Sequence, residues 1–255
     1  MAKKPRKTAS YDLKAADRRR NLLIQIGLTA VVVVFAVALV LYIVMSNDKP
    51  GSGEGRAVRV ASEQVITDAD SGEPKVVISV YEDFLCPHCG AFEQVFGPTL
   101  AKVIQSGAAA VDYYMVGILN TRQNDNYSNR AGAAAYCVAD ESVEAFERFH
   151  AKLFALQPEE VGGSYPDNEK LIELARQAGV VGNVPDCINS GRYEKMVDGM
   201  VGATGIKATP TVRINGEDYS YSTPQALVDK IKEIVGDVPG LEAAPPAKAP
   251  TPAAP

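Results

Sequence analysis

The sequence contains no tryptophan and only two histidines, and it has no excess of positive charge. Its 26 lysine and arginine residues are outnumbered by 31 aspartate and glutamate residues, so that the formal net charge is -5. A protein that binds nucleic acid through a basic face would normally carry the opposite balance. We therefore expect no nucleic-acid partner for this chain.

Cysteine is also scarce, and the spacing of the four cysteines argues against a zinc site. Cys86 and Cys89 form one Cys-x-x-Cys pair, whereas tetrahedral zinc needs two further ligands. No second pair of this spacing is present, and Cys137 and Cys187 stand in other segments, 50 positions apart. We therefore expect neither a bound metal nor another cofactor.

The basic residues that are present cluster at the N-terminus, before a long apolar run. Residues 1–20 carry eight basic and two acidic groups, and residues 22–45 are almost entirely apolar. As a helix this run would span about 36 Å, which exceeds the roughly 30 Å hydrocarbon core of a bilayer. We expect a cytoplasmic basic segment, 1–21, and a transmembrane anchor, 22–45, because basic flanks resist translocation. The alternative is a cleaved signal peptide, and both interpretations export residues 46–255.

Composition divides the exported part into a folded region with a segment on each side. Residues 46–57 are rich in glycine and serine, which predicts a flexible linker. Residues 237–255 are rich in proline and alanine, which predicts a disordered tail. Between them, strand patterns in 58–120 and 204–236 enclose a helical block at 121–203, which indicates an α/β domain with a helical insertion.

Hydrophobic periodicity gives the order of the elements inside the folded region. A buried strand, a helix that stops at Gly107, and a second strand precede the helical block. A β-hairpin with an Asn-Gly turn and a closing helix follow it. The helix after the redox motif shows its helical period from Phe92 to Ile104. The other predicted strands and helices are 76–81, 110–116, 131–138, 143–156, 168–178, 193–201, 211–214, 217–220 and 226–235.

The motif Cys86-Pro87-His88-Cys89 follows the first buried strand directly and opens the first helix. Pro87 suits the first helical position, which places Cys86 at the helix N-terminus, where unpaired N–H groups stabilise a thiolate. His88 can add a hydrogen bond or a positive charge. Cys89 lies three residues further on, so the two sulfur atoms can meet. We interpret Cys86 as the nucleophile and Cys89 as the buried resolving cysteine.

Two further features fit disulfide exchange. Thr209-Pro210 stands before a strand, where a cis bond would leave neighbouring backbone free to bind an extended peptide, although the dipeptide alone is weak evidence. Cys137 and Cys187 lie in two helical segments, and export favours a structural disulfide between them. The alternative for this second pair is two buried free thiols.

Together, residues 81–89 (YEDFLCPHC) and 205–216 (GIKATPTVRING) resemble the DsbA-type thiol:disulfide oxidoreductases, in particular their membrane-anchored actinobacterial branch. The resemblance covers about 70–236. It implies a thioredoxin fold with an inserted helical subdomain and a cis bond before Pro210. It also implies oxidation of exported cysteine-containing polypeptides. Reoxidation would then fall to a quinone-linked membrane partner, either DsbB-like or a vitamin K epoxide reductase homologue.

One position departs from the family pattern. The better-known members carry a buried glutamate six residues before the first cysteine, and Val80 stands there in this chain. Glu82 and Asp83 are closer to Cys86, and both are candidate proton acceptors for Cys89. The oxidising strength of the family therefore does not transfer automatically to this chain.

Other functions fit the same residues. A reductase or isomerase of the same fold would differ in its redox potential. A peptide-binding chaperone module would use the groove near Pro210 without exchange, and it would keep its activity when Cys86 is replaced by alanine. We expect the chain to sit in the cell membrane with a single pass, its N-terminus in the cytoplasm and its catalytic domain outside.

Overall fold

The computed structural model describes residues 55–180 and 182–247. The predicted cytoplasmic segment, the anchor at 22–45 and the linker up to residue 54 lie outside this part of the chain. Among the described residues, no helix combines the length and the apolar character that crossing a membrane would require.

A five-stranded mixed sheet forms the centre of the domain, in the order β1-β3-β2-β4-β5. Strand β2 pairs in parallel with β3 and antiparallel with β4, while β1 and β5 run antiparallel to their neighbours at the edges. Residues 78–82 of β2 are all buried, so both faces of this central strand are covered. The strands are β1 (Val58–Val60), β2 (Val77–Glu82), β3 (Ala110–Met115), β4 (Thr211–Ile214) and β5 (Glu217–Asp218).

Asn215 and Gly216 turn β4 into β5 with positive φ angles of 50° and 85°. Such angles suit asparagine and glycine, which is why this dipeptide predicts a hairpin. The Asn215 side chain also joins the turn to the neighbouring strand, since its Oδ1 accepts a hydrogen bond from Val77 N at 2.8 Å. The return strand ends at Asp218, two residues earlier than predicted.

Seven helices occur in the described residues. They are α1 (Pro87–Gln105), α2 (Tyr127–Glu141), α3 (Val143–Ala155), α4 (Asn168–Gln177), α5 (Val184–Asn189), α6 (Glu194–Thr204) and α7 (Pro224–Val235). Helices α2 to α6 form the helical block between β3 and β4. Helix α1 packs against α7, β3 and α3, so it lies where the helical block meets the sheet domain.

A disulfide joins Cys137 of α2 to Cys187 of α5, the pair that sequence analysis proposed, with an S–S distance of 2.02 Å. Helix α5 was not predicted, because a segment of six residues that begins with Val-Pro is too short to show a helical period. Strand β1 was also left unassigned, because a strand of three residues shows no clear alternation.

The C-terminal segment 237–247 is not disordered, which differs from the prediction for a Pro/Ala-rich tail. Leu241 is buried, with 3% of its surface exposed. The segment runs along α1: Ala244 N donates a hydrogen bond to Thr99 Oγ1 at 3.0 Å, and Ala247 N donates to Gln94 O at 2.7 Å. A third contact is the 2.8 Å ion pair between Glu242 and Lys102 of α1. The burial of Leu241 and these three contacts hold the segment against α1 in spite of its Pro/Ala-rich composition.

Replacing both Cys137 and Cys187 by serine should lower the free energy of unfolding by about 4 kcal/mol, because the disulfide closes a loop of 50 residues in the unfolded chain. Urea denaturation without reductant measures this loss. The matched control replaces Cys86 and Cys89 by serine, which removes the other pair and should cost much less. A loss below about 1 kcal/mol in the first variant would contradict the prediction.

Candidate redox site

Asp83 shapes the loop that carries the chain from β2 into α1. Its carboxylate accepts hydrogen bonds from Leu85 N at 2.8 Å and from Leu119 N at 2.9 Å. Its carbonyl oxygen accepts a third from Cys86 N at 2.9 Å. Asp83 therefore ties the turn before the first cysteine to the loop after β3.

Cys86 caps α1, and Pro87 occupies the first turn, as the motif predicts for a helix N-terminus. The pKa of Cys86 is lowered to about 5, chiefly by a hydrogen bond from the Cys89 thiol. Hydrogen bonds with the Thr209 side chain and with the backbone N–H groups of Cys89 and His88 lower it further, although partial burial opposes the shift. Cys86 is therefore a thiolate at neutral pH. Cys86 is nevertheless largely covered by its neighbours, with only 5% of its surface exposed.

Cys89 is fully buried beneath Cys86. Burial, the hydrogen bond to Cys86 and the charge of Glu82 all raise its pKa well above the ordinary thiol range. The two cysteines of one motif thus have opposite acidities. The buried thiol stabilises the thiolate beside it by donating a hydrogen bond.

The segment before β4 closes over the first cysteine. Thr209-Pro210 is a cis peptide bond, and Cys86 Sγ lies 3.5 Å from the carbonyl oxygen of Thr209. Tyr221 stands on the same side and packs edge-to-face on Phe92 of α1, with ring centroids 5.0 Å apart. Tyr221 is 37% exposed, so it presents an aromatic surface next to α1.

The remaining predicted residues fall into two groups. Pro87 and His88 are exposed at the start of α1, next to the sulfur atoms. Cys137 and Cys187 belong to the helical block and are joined to each other, so they take no part in this site. The structure therefore brings Cys86, Cys89 and the Thr209–Pro210 bond together.

A buried acidic cluster lies behind Cys89. Glu82 is fully buried and contacts His150 Nε2 of α3 through Oε2 at 2.9 Å. Glu93 of α1 supplies a second carboxyl group within 4.8 Å of these two side chains. Burial raises the pKa of Glu82 and of Glu93 to about 8, and it lowers the pKa of His150. At neutral pH the carboxyl groups therefore hold protons and the imidazole is uncharged.

The cluster opens onto a cavity of about 830 Å³ between α1 and α3. Glu93 and His150 line its inner end, Phe146 and Phe154 contribute aromatic walls, and Ala247 of the C-terminal segment lies at its edge. The cavity therefore lies beside the acidic cluster, and it also reaches Pro87 and Gly90 at the start of α1.

Three of the residues around this centre were not predicted from the sequence: Glu93, His150 and Tyr221. Glu93 had a usable signal, because it lies four residues after Cys89 and thus on the same side of α1. His150 had none, because only tertiary packing brings α3 against Glu82. No role was predicted for His150, and in the structure it is a buried partner of the Glu82 carboxyl group.

The sheet order, the Cys-x-x-Cys pair at a helix N-terminus and the cis-proline beside it define a protein of the thioredoxin fold. A thioredoxin family model matches residues 68–233, and this chain is 61% identical to DsbA of Mycobacterium tuberculosis in its reduced crystal structure. The chain belongs to the DsbA-type thiol:disulfide oxidoreductases. That alignment covers 73% of this chain and 96% of the other, with a TM-score of 0.72.

Two other similarities extend the comparison. A reduced disulfide bond oxidoreductase named DsbG, also from M. tuberculosis, is 61% identical over 75% of this chain and 92% of that one, with a TM-score of 0.72. The serine/threonine-protein kinase PknE of M. tuberculosis is 30% identical over 118 residues, which is 45% of this chain. The match spans only 21% of the kinase, so it concerns one part of that protein.

The acidic cluster predicts a specific pH dependence of stability. Glu82 and Glu93 bind a proton more tightly in the folded chain than at their ordinary pKa of 4.5, so their contribution is complete below that value. It is lost as the pH rises from 4.5 to about 8, with a slope of up to about 1.4 kcal/mol per pH unit for each proton that the folded chain keeps and the unfolded chain has released. Thermal unfolding of the oxidised protein between pH 6 and 9 should show this decline up to about pH 8 and a plateau above it.

The variant Glu93→Gln removes one of the two titrating groups, so its stability should decline less steeply over the same range. Glu242→Gln is the matched control, because Glu242 lies on the surface and its pKa is lowered by Lys102, away from this pH range. Equal slopes in Glu93→Gln and the unaltered protein would rule out titration of the pair.

Proposed function

We propose that this protein donates the Cys86–Cys89 disulfide to reduced, exported polypeptides during oxidative folding. The observation that carries the proposal is the opposite acidity of the two cysteines. A thiolate that is stable at the helix N-terminus favours the reduced enzyme, and an enzyme whose reduced form is stable passes its disulfide on. Membership of the DsbA-type family supports the same direction.

The first step is attack by a substrate thiolate on Cys86 Sγ of the enzyme disulfide. The Cys86–Cys89 bond breaks, a mixed disulfide forms at Cys86, and Cys89 leaves with the electron pair. In the second step another substrate thiolate attacks the substrate sulfur of the mixed disulfide, and Cys86 leaves as a thiolate. Two electrons pass to the enzyme, which ends as a Cys86 thiolate and a Cys89 thiol.

Cys89 needs a proton when it leaves, because a thiolate is unstable in its buried surroundings. Glu82 is the better of the two candidate groups, since the charge that it acquires on losing its proton raises the pKa of Cys89, and its carboxyl group still holds that proton at neutral pH. Asp83 has a pKa of about 6, raised mainly by burial, and both of its oxygens already accept backbone hydrogen bonds. We assign Asp83 to holding the loop and Glu82 to exchanging the proton, with Glu93 sharing it.

The cis-Pro210 segment and Tyr221 would bind the substrate. The carbonyl oxygen of Thr209 lies beside Cys86, where an extended polypeptide could pair with exposed backbone. The aromatic ring of Tyr221 offers apolar contact to residues that flank the substrate cysteine. His88 stands exposed at the helix start and would contact the incoming thiolate.

We further propose that residues 22–45 anchor the enzyme in the cell membrane, with the catalytic domain outside. The support is the apolar run after a basic segment, together with a disulfide in the helical block, which suits an oxidising compartment. An anchored enzyme should stay with membranes after a carbonate wash, whereas a cleaved signal peptide would release a soluble, shortened chain.

Anchoring would bring the enzyme to a quinone-linked reoxidant in the same membrane, either DsbB-like or a vitamin K epoxide reductase homologue. A cell that lacks the true reoxidant should accumulate the enzyme with Cys86 and Cys89 reduced. If the enzyme stays oxidised when quinone synthesis is blocked, this assignment fails.

The decisive experiment measures the redox potential of the Cys86–Cys89 pair in glutathione buffers. Because the chain lacks tryptophan, acid quenching, alkylation and intact mass should report the two states. We expect a potential well above about -200 mV, as for a disulfide donor. A value near -270 mV, similar to thioredoxin, would indicate a reductase instead.

Transfer to a reduced, unfolded substrate tests the roles of the two cysteines. Cys86→Ala and Cys89→Ala should both abolish transfer, because neither variant can form the Cys86–Cys89 disulfide that is donated. The variant that lacks Cys137 and Cys187 is the control and should still transfer its disulfide. Full activity in Cys86→Ala would instead support a chaperone that works without exchange.

A matched pair of variants tests the proton exchange. Glu82→Gln should slow formation of the mixed disulfide by about a hundredfold, because Cys89 then leaves without a proton donor. Asp83→Asn should mainly lower stability. After correction for ionisation of the substrate thiol, the unaltered rate should fall as the pH rises through about 8, and this fall should be absent in Glu82→Gln. Equal pH profiles would exclude Glu82.

A further inference from the structure

Gln157 connects the helical block to the loop that carries the redox pair. It lies two residues beyond the end of α3, and its side-chain amide reaches back to the start of α1. Its Nε2 donates two hydrogen bonds, to the carbonyl oxygen of Phe84 at 3.0 Å and to that of Cys86 at 2.9 Å. One amide group therefore holds the backbone on both sides of Leu85, immediately before the helix.

The residue after the motif makes this contact possible. Gly90 lies in the first turn of α1, where glycine is a poor helix former. A Cβ atom at position 90 would lie 2.4 Å from Gln157 Oε1, which is closer than non-bonded atoms approach. Because Gly90 has no side chain, the Gln157 amide has room beside α1. This contact explains why glycine stands at a helical position that it would otherwise destabilise.

The carbonyl oxygen of Cys86 accepts hydrogen bonds from three donors. It accepts hydrogen bonds from Cys89 N at 3.0 Å and from Gly90 N at 3.1 Å, as the first carbonyl of a helix does, and the Gln157 amide is a third donor. The direction of this carbonyl fixes the orientation of the Cys86 backbone. That orientation in turn decides how well the N–H groups of His88 and Cys89 point at the Cys86 sulfur.

We propose that Gln157 is a positioning residue of the redox centre, which holds the Phe84 and Cys86 carbonyl groups so that the first turn of α1 presents its N–H groups to the Cys86 sulfur. The inference deepens the proposed function, since it concerns the same pair of cysteines. It also makes the helical block part of the redox site, because Gln157, which orients the backbone of the nucleophile, belongs to that block.

The test uses Gln157→Leu, which keeps a similar volume and removes both donors. In the full-length reduced protein, the midpoint of thiolate formation at Cys86 is read from ultraviolet absorbance against pH. We expect it to rise by about half a pKa unit or more, which is about a threefold change in the equilibrium. The potential of the pair should shift toward the reducing side, because a less stable thiolate weakens the reduced form. Gln94→Leu is the control, since Gln94 lines the same cavity from the surface of α1.

The variant Gly90→Ala tests the same contact from the other side. Alanine favours the helix, yet its methyl group would displace the Gln157 amide. We expect Gly90→Ala to raise the midpoint as Gln157→Leu does, and the double variant to add little to either change. Two independent, additive shifts would show that the residues act separately, which would overturn the proposal.

A purely structural role has a different signature. In that case Gln157→Leu would lower the unfolding temperature and leave both the thiolate midpoint and the redox potential unchanged, and the proposal would be wrong. If Gln157→Leu fails to fold, Gly90→Ala carries the test alone, and an unchanged midpoint in that variant is equally decisive. None of these readouts depends on substrate, so disulfide donation can stand or fall by its own experiment.

Discussion

The redox site depends on one constraint: a negative charge on Cys86 must be stable while the thiol three residues later stays protonated. The unpaired N–H groups at the start of α1 supply the first condition, and complete burial of Cys89 supplies the second. The surrounding elements serve these two conditions. Strand β2 delivers the chain to the helix start, Asp83 shapes the loop between them, and the cis-Pro210 segment covers the sulfur atoms without closing the site.

The helical block contributes more to this constraint than its place in the chain suggests. Helix α3 brings His150 against Glu82, and the residues after it bring Gln157 against the helix start. Two fully buried acidic residues, Glu82 and Asp83, come shortly before Cys86, and the partly buried Glu93 lies beside Glu82. Their roles differ because their partners differ. Two backbone N–H groups bind the Asp83 carboxylate, whereas burial raises the pKa of Glu82 and Glu93 so that both keep their protons at neutral pH.

The order of elements and the identity of the redox pair could be predicted because both rest on local patterns. A short β-rich run predicted β2, alternation predicted β4, Asn215-Gly216 predicted the hairpin, and Pro87 predicted the helix start. The acidic cluster could be predicted only in part. Glu82 was named for its closeness in sequence, whereas His150 comes from a segment almost 70 residues away and no local pattern ties it to Glu82. Short elements such as α5 were missed because six residues carry too little periodicity.

Composition was also a poor guide to where the folded unit ends. A fragment that stopped at residue 236 would look complete by sequence, yet it would remove Leu241 from its pocket and uncover the outer side of α1. The freshly exposed apolar surface would lie on the very helix that carries Cys86 and Cys89. A fragment intended for crystallisation or for a soluble assay should therefore extend at least to Ala247. A shorter fragment would aggregate through the exposed face of α1, and its low activity would then reflect aggregation and not the chemistry of the redox pair.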